Sequence, residues 1–167
     1  MAVLIILRGN SGSGKTALSK RLQEAFGPNT MRISHDTVRM EILNVRGEEG
    51  VRRSTPLLIE LLRYGRAHSA VTILEGILPS SAYAPLFAAA ADLFGAENLF
   101  AYYYDLPFAE TLARHATKPN RADFGEAEMR RWWQGRDLAA SLRETVFGPE
   151  LSLEEAAAQV LRDVRGE

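Results

Sequence analysis

Near the start of the chain an apolar run, Ala2 to Leu7, passes through Arg8 into the octet Gly9-Asn10-Ser11-Gly12-Ser13-Gly14-Lys15-Thr16. No other stretch restricts the possible folds as much. A short, continuous apolar run that ends at glycine reads as a strand buried on both faces, here residues 2–8. Behind the octet, Leu18, Leu22 and Phe26 recur at helical spacing, which predicts a helix over 15–26 that stops at Gly27-Pro28. The octet fits the pattern G-x-x-x-x-G-K-S/T at every fixed position. Glycines there let backbone N–H groups turn inward around phosphate oxygens. The helix that starts near Lys15 directs its positive dipole end at the same anion. Lys15 can reach the β- and γ-phosphates, and the Thr16 hydroxyl can ligate Mg²⁺. A strand before and an amphipathic helix after separate this pattern from a chance glycine turn. Gly9, Asn10, Ser11, Gly12, Ser13, Gly14, Lys15 and Thr16 are therefore expected to bind ATP.

The remainder of the chain alternates between the same two kinds of element. Residues 30–34 read as a second strand, and a helix is expected to begin near Asp36. The segment 45–50 reads as a mobile loop. An amphipathic helix follows over 51–68, with Pro56 awkward in its first turns, and then a buried third strand over 70–76. A helix over 80–95 leads to a fourth strand at 98–106. Pro107 opens a helix to Lys118, residues 119–125 form a loop, and 126–142 continue as helix. A short fifth strand falls within 143–148, and Ser152 with Glu155 forms a capping box for the last helix. There are no linkers or internal repeats. Alternation of this kind predicts one α/β domain, a parallel sheet with helices on both faces.

Composition limits the partners. The chain has 167 residues, enough for one domain with one sizeable core. Its net charge is −1, which gives no global basic field for nucleic acid or anionic membrane. The apolar start is too short for a signal-peptide core or a membrane span. Cysteine is absent, which rules out disulfides and thiolate metal sites. A cytoplasmic protein is the expectation. Arginine outnumbers lysine by 17 to three, so an arginine alone says little about phosphate binding.

Ligands of open α/β sheets gather at the carboxyl ends of the strands, and two carboxylates stand there. Asp36 follows the second strand, and Arg39 lies on its face of the next helix. Asp36 can take the proton of an acceptor hydroxyl as it attacks the γ-phosphate, and Arg39 can hold an anionic group of the acceptor or the moving phosphoryl. The alternative is an N-cap and a solvated arginine; beside a phosphate loop, catalysis is preferred. Glu75 ends the third strand and can hold a Mg²⁺-bound water or position the acceptor, with Gly76 leaving room for substrate. Arg114, Lys118 and Arg121 fall in a segment, 114–136, that can close over ATP as a small lid and bring cations to the phosphoryl group. Cations at a helix end also serve without catalysis. Arg130, Arg131 and Arg136 read as surface residues, and Trp132 and Trp133 as packing, with cover for a base or acceptor as the alternative. His35, His68 and His115 show no metal-ligand spacing.

The phosphate loop, Ser34-x-Asp36-x-x-Arg39, the Ile73-Leu74-Glu75-Gly76 run and a basic lid together resemble small P-loop kinases. The group in mind includes zeta toxins, chloramphenicol phosphotransferases and the kinase domain of polynucleotide kinases. The resemblance implies a five-stranded parallel sheet of order 2-3-1-4-5, with Asp36 as general base and Arg39 on acceptor or phosphoryl oxygens. It implies an ATP- and Mg²⁺-dependent transfer to the hydroxyl of a small molecule such as a nucleoside, sugar or antibiotic. Two other readings stay open. One is a 5′-hydroxyl polynucleotide kinase, for which Arg46, Arg52 and Arg53 are the only cluster facing a backbone. The other is an ATP-binding switch without catalysis; residues 117–120, TKPN, lack the aspartate of a guanine motif.

Overall fold

The computed structural model describes residues 1–167 as a five-stranded, all-parallel sheet of order β2-β3-β1-β4-β5. The strands are β1 (Val3–Gly9), β2 (Thr30–Ser34), β3 (Val71–Gly76), β4 (Leu99–Tyr104) and β5 (Thr145–Phe147). The helices are α1 (Lys15–Phe26), α2 (Gly47–His68), α3 (Ala84–Phe94), α4 (Phe108–Ala116), α5 (Glu126–Trp132) and α6 (Leu153–Arg165). Alternation along β1 explains the two layers. Leu4 and Ile6 enter a core with Leu58 and Leu62 of α2 and Phe87 and Ala90 of α3. Ile5 and Leu7 enter a second core with Leu18 and Leu22 of α1 and Ala156 and Val160 of α6. A strand apolar at every position from Val3 to Leu7 needs cover on both faces, and a parallel sheet provides it.

Four expectations about local structure change. Residues 37–42 form a π-helical turn, in which the Leu43 N–H donates to the Val38 carbonyl five residues back. The Ser34 hydroxyl accepts from the Thr37 N–H, while Asp36 makes no capping bond. The segment 45–50 is not one loop, because α2 begins at Gly47 and passes Pro56 in its interior. Its first turn carries Glu48 and Glu49, which suit the positive end of a helix. The helix before β4 starts at Ala84, because Ser80 is held in a turn by Asp137. Finally, 126–142 is helical only to Trp132. Beyond it the chain extends at Trp133, takes a positive φ of 37° at Arg136, and ends in a 3-10 turn at Ala140–Leu142.

Tertiary contacts account for that last break. The Asn10 side chain donates to the Gln134 carbonyl and accepts from the Gln134 N–H, at 2.6 and 2.8 Å. Arg8, fully buried, donates to the Leu78 carbonyl, to Glu144 at 2.7 Å, and to the Asp137 side chain and carbonyl at 3.0 Å each. Phe87 and Tyr103 flank its guanidinium at 5.2 and 5.4 Å. These bonds draw residues 134–137 across the carboxyl end of β1 and outweigh the helical preference of the segment.

Candidate functional site

The octet lies between β1 and α1, at the middle strand of the sheet. Gly12 has φ +81°, and a Cβ there would sit 2.4 Å from the Thr111 carbonyl of α4, so only glycine lets the loop pass. Lys15 folds back over the loop, donating to the Asn10 carbonyl at 2.8 Å and the Ser13 hydroxyl at 3.2 Å. Burial lowers its ammonium to about 8, against the opposing pull of Glu75 and Asp36 and with help from the positive charge of Lys118. Thr16 donates its hydroxyl to Glu75 Oε1 at 3.1 Å, joining α1 to the end of β3. Arg114 of α4 donates to the Ser13 carbonyl at 2.8 Å while Glu110 holds its Nε at 2.9 Å. Lys118 shares the same acidic centre: burial lowers its ammonium, and Glu75 and Asp36 act against that shift. Arg121 is exposed and donates to the Lys118 carbonyl at 3.3 Å, inside its own turn.

On the β2 side of the loop opens a cavity of about 990 Å³. Asp36 and Arg39 form one wall, joined by a 3.2 Å ion pair. Phe124, Arg131 and Trp132 line it as well. Trp132 is 43% exposed and meets Phe124 edge-on at 5.2 Å, and Phe124 stacks on His115 at 4.5 Å. Trp132 is thus a cavity side chain and not core packing; a helix pattern alone does not show which side of α5 is left open. Trp133 packs edge-on against Phe108 at 6.2 Å.

The floor of the cavity holds groups to which the sequence assigned no role. His35 is buried, and its Nε2 lies 2.5 Å from the Tyr83 hydroxyl, which lies 3.1 Å from the Ser54 hydroxyl of α2. Burial holds the imidazole neutral, lowering it to about 4 against the carboxylate of Asp36. Gly76 does not leave room for substrate; the space is taken by His35, whose Cβ would lie 2.6 Å from a Cβ at that position. Elsewhere Arg52 and Arg53 are both tied to Glu49, so only Arg46 of that trio lines the cavity. Arg136 pairs with Asp105, and Arg130 with Glu126.

The family model that matches this sequence is described as an AAA domain and covers residues 4–139, from β1 to the strap behind α5. The chain belongs to the AAA domain family. No curated protein matches its sequence. In fold this AAA domain is similar to a gluconokinase from Sinorhizobium meliloti (TM-score 0.68, 15% identity, 98% of this chain and 92% of that one). It is similar to the Mycobacterium tuberculosis APS kinase solved with AMPPNP and APS (0.65, 19%, 98% of each). A shikimate kinase from Acinetobacter baumannii, solved with shikimate, also shares the fold (0.62, 16%, 99% and 94%). These are P-loop kinase folds, and the five-stranded order 2-3-1-4-5 is the one the resemblance implied. No helix of the chain is long and apolar enough to cross a membrane.

Proposed function

We propose that the chain is an ATP- and Mg²⁺-dependent phosphotransferase that moves the γ-phosphate to a hydroxyl of a small molecule seated in the 990 Å³ cavity. The observation that carries this reading is the meeting of two half-sites at neighbouring strand ends. Lys15, Thr16 and Glu75 border the phosphate loop, and Asp36 and Arg39 border the cavity beside it. Nucleotide phosphates would be held by backbone N–H groups of the loop at residues 9–16. A Mg²⁺ ion would be held by the Thr16 hydroxyl directly and by the Glu75 carboxylate through water, two oxygen ligands that stand 3.1 Å apart. Held by these residues, it would supply positive charge to the β- and γ-phosphate oxygens.

Asp36 accepts the proton of the acceptor hydroxyl; the freed oxygen pair bonds the γ-phosphorus, and the bond to the β–γ bridging oxygen breaks to release ADP. Its pairing with Arg39 leaves the carboxylate oriented and still 63% exposed to the cavity. Arg39 then holds an anionic group of the acceptor or the phosphoryl in transfer. Arg114, already on the loop through Ser13, and Lys118 supply further positive charge, with 114–136 acting as the lid and Arg121 recruited on closure. The named neighbours act on small acceptors, in keeping with a cavity walled by Trp132 and Phe124. Arg52 and Arg53, satisfied by Glu49, weaken the 5′-hydroxyl polynucleotide alternative.

The test is transfer of γ-labelled phosphate from ATP with Mg²⁺ into pools of sugars, nucleosides, antibiotics and 5′-hydroxyl oligonucleotides. Label in one small-molecule pool is expected. Label only in oligonucleotides transfers the reading to a polynucleotide kinase, and ATP binding without label anywhere transfers it to a nucleotide switch.

A further inference from the structure

The His35–Tyr83–Ser54 chain has no part in the scheme above, yet it ends beside the proposed base. His35 Nδ1 is buried without a hydrogen-bond partner, and the charged atom in front of it is Asp36 Oδ1 at 3.9 Å. The other ring nitrogen is engaged by the Tyr83 hydroxyl, with the two rings edge-to-face at 4.9 Å and 84°. The ring has little freedom to turn away. Gly76, next after Glu75, lies against its Nδ1 edge, and a Cβ there would come within 3.2 Å of Nδ1.

We infer that His35 is a positioning residue for Asp36: Tyr83 and Ser54 hold it as the Nδ1–H tautomer, and that N–H orients the Asp36 carboxylate when it turns from Arg39 to the acceptor. This rests on the reading of Asp36 as the base. Two tautomers are compatible with the distances. If Nε2 carries the proton, the buried Nδ1 presents a bare lone pair toward the Asp36 carboxylate, which is repulsive and leaves Nδ1 unsatisfied. If Nδ1 carries it, the Tyr83 O–H donates to Nε2, Ser54 donates to the Tyr83 oxygen, and every member is satisfied once Asp36 moves inward by about the difference between 3.9 Å and a hydrogen bond. A neutral imidazole fixed through its far nitrogen is the usual way to set which nitrogen acts. The chain does not carry the abstracted proton away, because it terminates at Ser54, which has no exposed surface.

The experiment is a long-range ¹H–¹⁵N spectrum of the histidine side chains in the full chain, His35 being assigned by its loss in His35→Asn. The expected state is neutral Nδ1–H. Tyr83→Phe should convert it to a mixture, and Asp36→Asn should move the Nδ1–H resonance. An Nε2–H tautomer in the wild type, or a resonance indifferent to Asp36→Asn, overturns the inference. In turnover, His35→Leu should lower kcat about 10- to 100-fold, the range for a hydrogen bond to a charged group, with the KM for ATP unmoved. His35→Asn, which keeps an N–H near the Nδ1 position, should restore most of it. In an Asp36→Asn background His35→Leu should cost nothing more; a further full loss shows that His35 acts elsewhere. The tautomer measurement needs no acceptor. Failure of the phosphotransfer reading, seen as no label in any pool, is therefore separate from failure of this inference.

Discussion

Two arginines at the carboxyl ends of this sheet are used in opposite ways. Arg8, at the end of β1, is sealed from solvent with four hydrogen bonds to Leu78, Glu144 and Asp137. Arg39, behind β2, keeps a quarter of its side chain exposed, has one carboxylate partner, and has a buried Nε with none. A guanidinium with four of its five donors spent within the chain, and no surface exposed, ties segments together and is closed to a ligand. One with donors to spare, beside a cavity, is available for chemistry. Arg8 therefore belongs to the frame and Arg39 to the lining of the cavity, where the proposed scheme uses it, although both are arginines beside a strand end in an arginine-rich sequence.

Replacing Arg8 by methionine should be the severest change, since it strands the buried Glu144 and leaves Asp137 short of a partner. The expected loss is about 3–5 kcal/mol of stability, as for removing one member of a buried ion pair. Chemical denaturation of the variant checks it, and a midpoint equal to wild type would erase the contrast. Asp36→Asn should reverse the pattern: stability within about 0.5 kcal/mol of wild type, as for an exposed surface change, and turnover lower by about 10²–10⁴-fold, as for loss of a general base. Unchanged turnover would remove Asp36 from the reaction.

Trp132→Ala should act more mildly, weakening acceptor binding by about 0.5–1.5 kcal/mol through the lost aromatic contact. Its KM for ATP should stay the same; a change confined to ATP would place the indole on the nucleotide side. The smallest signal comes from Lys15. Its ammonium is lowered to about 8 by burial, so unliganded chain sheds that proton above about this pH, while a bound triphosphate favours the charged form. Binding of Mg²⁺·ATP should accordingly take up a proton, negligibly near pH 7 and increasingly toward pH 9, read by calorimetry in buffers of different ionisation enthalpy. The same lowering costs stability below about pH 8, a cost that disappears as the pH rises toward the ordinary lysine value. Lys15→Ala should abolish the uptake.

The fold was legible where local pattern and tertiary demand coincide. An apolar strand, eight loop residues and an amphipathic helix need only their own neighbours, so β1, residues 9–16 and α1 could be read directly. The hydrogen bond from Thr16 to Glu75 is set by the pairing of β1 with β3, which no local pattern in the sequence encodes. Residues 126–142 read as one helix in sequence because a helical pattern carries no record of Asn10 and Arg8, more than a hundred residues away, which bond 134–137 across the end of β1. The π-turn after β2 was hidden for a similar reason, since its composition is that of an ordinary helix. His35 was passed over because a lone histidine shows no partner in sequence; Tyr83 and Ser54 reach it only through folding.

By itself, then, the order of residues determined that a glycine-rich loop joins a strand buried on both faces to an amphipathic helix within a parallel α/β domain, because backbone φ values, strand burial and helix periodicity are local consequences of residue type. Tertiary structure alone decided which arginine is sealed and which keeps an unpartnered Nε beside the cavity, which residues line that cavity, and what stands behind Asp36. Those outcomes depend on hydrogen bonds between segments distant along the chain, and no spacing within a single element encodes them.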